Sequence, residues 1–165
     1  MLIRREEAAD VPVIAGIHAA AFGGEVEKNL VTALRASSAW LPRLSLVAED
    51  GGRVVGHVVC TRAHVAGRPA LGLGPLGVVP AQQKSGVGSA LMHAVLAAAD
   101  ALDEPVVVLL GHTDYYPRFG FRPAASFGIE PPDPAWGNHF QARPLSTYDS
   151  SVRGPFAYAQ PFNEL

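Results

Sequence analysis

Cysteine is nearly missing from this sequence: Cys60 is the one thiol in 165 residues. A lone thiol closes no intramolecular disulfide and builds no cysteine-based zinc site. Metal-ligand spacing is missing as well. The six histidines are scattered and none forms a His-x-x-x-His pair, so no metal is expected. Charge of one sign is lacking too. Thirteen Lys and Arg stand against fifteen Asp and Glu, too even a balance for a broad nucleic-acid footprint. A small phosphate site needs no such excess, because backbone N–H groups hold phosphates without net charge. Long apolar runs are also absent. The near-apolar stretch 94–102 is broken by Asp100 and falls short of a bilayer span. Met1-Leu2-Ile3-Arg4-Arg5-Glu6-Glu7 holds no apolar segment of signal-peptide length. There is no repeat and no low-complexity block. These absences predict a soluble cytoplasmic protein with neither a membrane nor a nucleic-acid partner.

What is present is a core. About half of the residues are apolar (48%) and few are charged (17%), the balance of a compact globular chain rather than a disordered one. The length predicts one domain over 1–165. Leu2 to Arg5 reads as an edge strand. Asp10 before Val11-Pro12 reads as a helix N-cap, followed by Val13, Ile14, Ile17 and Ala21 at helical spacing and a break at Gly23-Gly24. Val26, Leu30 and Leu34 mark a second helix with these three on one face. Leu44 to Glu49 and Arg53 to Thr61 read as a hairpin around Asp50-Gly51-Gly52. Ala70 to Val79 reads as a strand. Gly86 to Ala101 is the clearest helix, with Val87, Leu91, Val95 and Met92, Leu96, Ala99 in adjoining rows. Val106 to Leu110 is a continuous apolar run of the kind buried in parallel sheets. A short helical turn at 114–118 ends at Gly120. Strand-like pieces are expected near 127–129, 139–145 and 157–160. The order predicts a mixed α/β sheet with one parallel crossover, 70–79 to 86–101 to 106–110, at its centre.

Gln83-Lys84-Ser85-Gly86-Val87-Gly88 joins that strand to that helix. The hexapeptide fits a bare strand-to-helix turn. It equally fits a phosphate cradle, with backbone N–H groups at a helix N-terminus, glycines that admit a bulky diphosphate, and Lys84 and Ser85 as further donors. Pro75 and Pro80 bracket the strand's exit, and a Pro within a central strand removes a ladder donor. A strand that stops pairing leaves a wedge, which an amide-bearing arm could fill by strand-like pairing. Tyr115-Tyr116-Pro117-Arg118-Phe119-Gly120-Phe121 follows the second parallel strand. Tyr115, Phe119 and Phe121 read as an aromatic corner; the residues alone leave Tyr116 open between that corner and a phenol that could protonate a leaving thiolate. Gly72-Leu73-Gly74-Pro75-Leu76-Gly77 matches the dinucleotide pattern, but it lies inside a strand and runs into Val78-Val79-Pro80 rather than a helix. Lys84-Ser85 fails the Walker pattern, which needs Gly where Gln83 stands. Cys60, mid-strand, reads as a buried inert thiol rather than a nucleophile.

Taken together, the apolar strand, Gln-x-x-Gly-x-Gly, amphipathic helix, apolar strand and Tyr-x-x-x-Gly-Phe series resembles the GCN5-related N-acetyltransferase (GNAT) superfamily. Leu110-Gly111-His112 running into the Tyr115–Phe121 motif, and a tail from Leu145 through Gly154 to Tyr158–Phe162, are similar to its bacterial YhbS-type branch. The resemblance implies an α/β (α+β) fold: a mostly antiparallel central sheet with a splayed parallel pair at its centre and flanking helices. It implies acetyl-CoA as cosubstrate. Gln83, Lys84, Ser85, Gly86, Val87, Gly88 and Ser89 would hold the pyrophosphate, and the backbone of Leu76, Gly77 and Val78 would pair with pantetheine and polarise the thioester. Tyr116 falls on the family's general acid.

Many relatives carry an acidic base on the central strand, whereas 72–77 has no carboxylate here. A water held by His57, His112, Glu25 or Glu27 is the alternative, or no base at all for an amine that arrives neutral. The expected reaction is direct acetyl transfer to a small-molecule or peptide amine in a ternary complex. A non-catalytic acyl-CoA-binding module and a protein or peptide N-acetyltransferase are the rival readings. The first two helices and the loop 131–136 are expected to flank the acceptor, with Trp136 and Phe22 as candidate lining or as packing residues. The sequence is compatible with a homodimer.

Overall fold

A computed structural model describes residues 1–165. Strands β1 (Leu2–Arg5), β2 (Ser45–Asp50), β3 (Arg53–Val65) and β4 (Arg68–Val78) form an antiparallel meander. Helices α1 (Val11–Phe22) and α2 (Val26–Arg35) lie between β1 and β2 in the chain. Helix α3 (Val87–Ala101) crosses from β4 to β5 (Val106–Leu110), which pairs parallel to β4. Short strands β6 (Arg122–Pro123) and β7 (Ile129–Glu130), then β8 (Phe140–Pro144) and β9 (Gly154–Ala157), complete the chain. The sheet order is β1-β2-β3-β4-β5-β8-β6, with β9 joining β3 to β7. The expected mixed sheet, mostly antiparallel with a parallel pair at its centre, is observed, and the short strands β7 and β9 add a second parallel pairing.

Alternation along β4 and β5 divides the core. Leu71, Leu73, Val78, Val107 and Leu109 pack with Leu91, Met92 and Val95 of α3. Ala70, Val106 and Val108 pack on the other face with Ile129, Phe140 and Phe156. Ile14 of α1 and Val31 of α2 cover Val47. Burying a side chain the size of Leu91 contributes about 1.5–3 kcal/mol, and the α3 face of the sheet holds the larger of the two main apolar clusters.

Several local expectations change. Asp10 does not cap α1; its carboxylate accepts the Glu7 N–H at 2.7 Å and a two-pronged bond from Arg4. Val26 is exposed, and α2 buries Leu30, Val31 and Leu34 instead. β3 and β4 run on into a hairpin at Ala66-Gly67. The strand expected over 157–160 lies at Gly154–Ala157, and 160–164 is a 3-10 turn. Cys60 is fully buried, and burial drives its thiol pKa upward, as an inert thiol requires.

Candidate active site

The parallel pair parts early. β4 and β5 are in register only at Leu71 with Val107 and Gly72 with Val108. Beyond that point β4 bulges: Val58 and Cys60 of β3 face Leu76 and Leu73, so β4 carries one extra residue. A bulge bends its strand, and Pro75 within it has no N–H to offer β5.

The edge exposed by the parting is usable. Val79 N–H donates to Val55 O at 2.9 Å, and the register continues Gly56 with Val78, His57 with Gly77 and Val58 with Leu76. Bonded and non-bonded pairs alternate in an antiparallel ladder. Gly77 therefore uses its backbone groups on His57, while those of Leu76 and Val78 point away from β3 into the gap. The Val78 carbonyl already accepts from Gln83 Nε2 at 3.0 Å. Leu76 and the Val78 N–H remain for an amide-bearing guest.

One end of the gap opens into a cavity of about 540 Å³, lined by Leu76, Val78, Gln83, Lys84, Gly86, Gly88 and Ser89. Lys84 at φ 61 and Gly86 at φ 96 wind the turn left-handed just before α3. Such a turn gathers N–H groups into an anion-binding concavity, and the first turn of α3 adds its own free N–H groups. Two predicted members direct their side chains elsewhere and leave only their backbone to the concavity. The Ser85 hydroxyl bonds Gln82 O, and the Val87 side chain is core. Arg118, Tyr115, Ala21 and Phe22 also line this cavity. Arg118 is a cation the sequence reading missed. It stacks its guanidinium 4.6 Å above the Tyr115 ring and bonds Tyr115 O at 2.9 Å. The Tyr-Tyr-Pro-Arg motif was the signal available for it.

Tyr116 sits behind that cavity wall. Its ring lies edge-on to Tyr115 at 5.0 Å and to Phe121 at 6.0 Å. It covers Gly111, where β5 leaves the gap and where a Cβ would overlap the ring. Burial, helped by Tyr115, pushes its pKa up to about 12, so the phenol is protonated at neutral pH.

On the other side of the parting lies a second cavity of about 580 Å³, bounded by Leu73, Gly74 and Pro75 of β4, Leu110 of β5, and Trp136 and Tyr158. Phe22 and Trp136 thus line different cavities. At one position of the strand that lacks a carboxylate, Gly72, a Cβ would stand 2.9 Å from Tyr158 Cδ1, so the Tyr158 ring occupies the space a side chain there would need. Of the four candidate base-holders, Glu27 lines the second cavity. His112 lies on an outer groove with His139, and Glu25 pairs with Lys28 at 2.8 Å.

His57 lies elsewhere, in a polar chain whose inner members His18, Ser45 and His57 are fully buried and whose outer members Glu6 and Arg35 are partly exposed. Arg35 grips Glu6 with two bonds of 3.0 Å. Ser45 bridges Glu6 to His57 Nε2, and His57 Nδ1 meets His18 Nε2 at 2.8 Å. Glu6 is ionised, its pKa held down to about 2 by His57, Arg35 and Ser45 against the cost of burial. A carboxylate only accepts, so Ser45 donates to it, His57 Nε2–H donates to Ser45, and His18 Nε2–H donates to His57 Nδ1. The chain ends at His18 Nδ1, buried and without a partner, against Gly77.

The comparisons with known proteins agree with this arrangement. The family model described as an acetyltransferase (GNAT) domain matches residues 2–124. YjhQ of Escherichia coli K12, described as an uncharacterised N-acetyltransferase, is 37% identical over 121 residues, covering 71% of this chain and 67% of that protein. The crystal structure of the GNAT family N-acetyltransferase YhbS from Escherichia coli in complex with CoA superposes with a TM-score of 0.89 at 31% identity, over 98% of this chain and 91% of that one. A GNAT family acetyltransferase from Brucella melitensis in complex with acetyl-CoA gives 0.81 at 33% identity, over 98% and 97%. With the bulged, parted strand pair and the glycine turn of α3 in place, the match over 2–124 shows that this chain belongs to the GNAT family of N-acetyltransferases.

Proposed function

We propose that this chain binds acetyl-CoA along the parted edge of β4 and transfers its acetyl group directly to an amine entering from the opposite cavity. The observation that carries the reading is that two cavities lie on successive stretches of one parted strand, one lined by Leu73, Gly74 and Pro75 and the other by Leu76 and Val78. The turn at 83–88, Ser89, Lys84 and Arg118 suit a diphosphate, and the Leu76 and Val78 backbone suits pantetheine. The relatives crystallised with CoA and acetyl-CoA support the same guest. No helix is long and apolar enough to cross a membrane, which accords with action in the cytoplasm.

In the transfer, the free-base amine attacks the thioester carbon. The N–C bond forms, and a backbone N–H at Leu76 or Val78 stabilises the oxyanion because a fixed dipole need not reorganise. The C–S bond then breaks, Tyr116 gives its proton to the thiolate, and the amine's proton leaves to solvent, from which Tyr116 is recharged. Tyr116→Phe is expected to lower kcat about 10²-fold with the acetyl-CoA KM within twofold, while Tyr115→Phe keeps kcat near wild type. A kcat for Tyr116→Phe within twofold of wild type removes the assignment.

The strand without a carboxylate favours one rival, a module that binds acyl-CoA without catalysis. Thiol release from acetyl-CoA across a panel of amines separates the two. Release with any amine supports the enzyme, whereas calorimetric binding of CoA with no release supports the module.

A further inference from the structure

The second cavity carries information about the acceptor that rests on the reading above. Its walls are unusually apolar for a site at a surface. Leu30, Leu73, Pro75 and Leu110 line it beside Trp136 and Tyr158. Leu110 is 45% exposed although it ends a core strand, so its side chain is a wall with nothing on it. Tyr158 stacks on Phe162 at 4.5 Å and meets the edge of Trp136 at 6.3 Å, which makes one continuous aromatic wall. No Lys, Arg or His side chain lines the cavity, and Glu27 is its one acidic side chain. Glu27 has no ion-pair partner, since Lys28 is taken by Glu25. It stands in the first turn of α2, where the helix dipole favours a charged carboxylate.

We infer that the acceptor is a small primary amine with an apolar, ring-bearing body, whose ammonium form is captured by Glu27 and whose body lies on Trp136 and Tyr158. A carboxylate facing an apolar wall attracts a cation more strongly than one in bulk water. Aromatic faces add to that attraction. The cavity volume of about 580 Å³ is that of a small-molecule site. The cavity also touches Leu73–Pro75 and Leu110, where the strands part, so a body held on the aromatic wall keeps its amine beside the acyl end. Transfer needs the free base, so Glu27 acts in capture and its loss shows in KM before kcat.

The test uses the full chain, saturating acetyl-CoA and thiol release. The kcat/KM for 2-phenylethylamine is expected to exceed that for ethanolamine, and for a peptide with a free N-terminal Phe, by about 100-fold. Glu27→Gln, a near-isosteric change on a helix surface, is expected to raise the 2-phenylethylamine KM about tenfold without moving the acetyl-CoA KM. Trp136→Ala should lower kcat/KM for 2-phenylethylamine and leave ethanolamine unchanged. Equal or faster turnover of ethanolamine or of the peptide overturns the inference and leaves the acetyltransferase reading intact. So does an unchanged KM in Glu27→Gln. If no amine releases thiol, calorimetry of 2-phenylethylamine with the CoA-loaded protein decides. Binding weakened by Glu27→Gln upholds the site while the enzyme reading falls, and absence of heat overturns the site as well.

Discussion

A methyl group added at Gly77 would stand 2.7 Å from His18 Nδ1 and 3.0 Å from its Cε1. Neither atom is the tip of a flexible chain: the ring is locked through Nε2 to His57 and stacked 6.0 Å from Phe22. The substitution must therefore move α1 or β4. Overpacking a closed site costs about 1–3 kcal/mol, and Gly77→Ala is expected to lose that much in chemical denaturation. A midpoint equal to wild type would mean that α1 yields freely. The glycine-rich run 72–77 was legible as a strand without a carboxylate. The reason for Gly72 and Gly77 was not legible, because the rings that fill their space, Tyr158 and His18, come from the segment after β9 and from α1, far away in sequence. Nor was the division of labour among Leu76, Gly77 and Val78, which depends on the phase of the β3 ladder.

At the scale of elements, legibility followed periodicity. Helix α3 repeats its apolar residues without interruption and buries Val87, Leu91, Met92, Val95, Leu96 and Ala99, so the rows read in the sequence are the rows in the core. The hairpin joining β3 to β4 turns on Ala66 at φ 48 followed by Gly67; alanine gives no turn signal, and the two strands were read shorter than they are. After β5 the chain is a series of 3-10 turns and two-residue strands, too short to set a period. The turn before α3 is the element on which the coenzyme reading depends most. Gly86 sits at φ 96 with open space where a Cβ would go, so Gly86→Ala tests backbone shape alone. Left-handed backbone costs a non-glycine residue about 1–2 kcal/mol. A turn that relaxes from it misdirects the N–H groups, and CoA affinity by calorimetry is expected to fall about tenfold for each 1.4 kcal/mol of that cost expressed in binding. Unchanged affinity would place the diphosphate elsewhere.

Across the whole molecule, one polar chain ties five segments of sequence together: Arg35 on α2, Glu6 after β1, Ser45 on β2, His57 on β3 and His18 on α1. Its chemistry fixes how stability responds to acid. Burial, reinforced by His57 and Arg35, holds the His18 pKa down to about 3 from 6.5; burial also lowers that of His57, outweighing the raising effects of Glu6 and Asp10. Both rings are neutral in the folded protein, whereas in the unfolded chain they take up protons below about pH 6.5. The unfolded state then binds more protons, and stability falls as pH falls. His18 contributes a slope of about 1.4 kcal/mol per pH unit between about pH 6.5 and 3, and His57 acts in the same direction. Glu6, lowered from 4.5 to about 2, acts in the same sense, its contribution complete above pH 4.5 and lost on the way down to 2. The urea midpoint is therefore expected to be level above pH 7, to decline from pH 6.5 to 5, and to steepen below 4.5. His18→Gln should flatten the upper part of that decline even if it lowers the plateau, because one of the two groups that protonate on unfolding is gone. A wild-type midpoint that does not move between pH 7.5 and 5 would mean that neither ring is held neutral in the fold. The bond between His57 Nδ1 and His18 Nε2, which needs one accepting nitrogen, could not then stand.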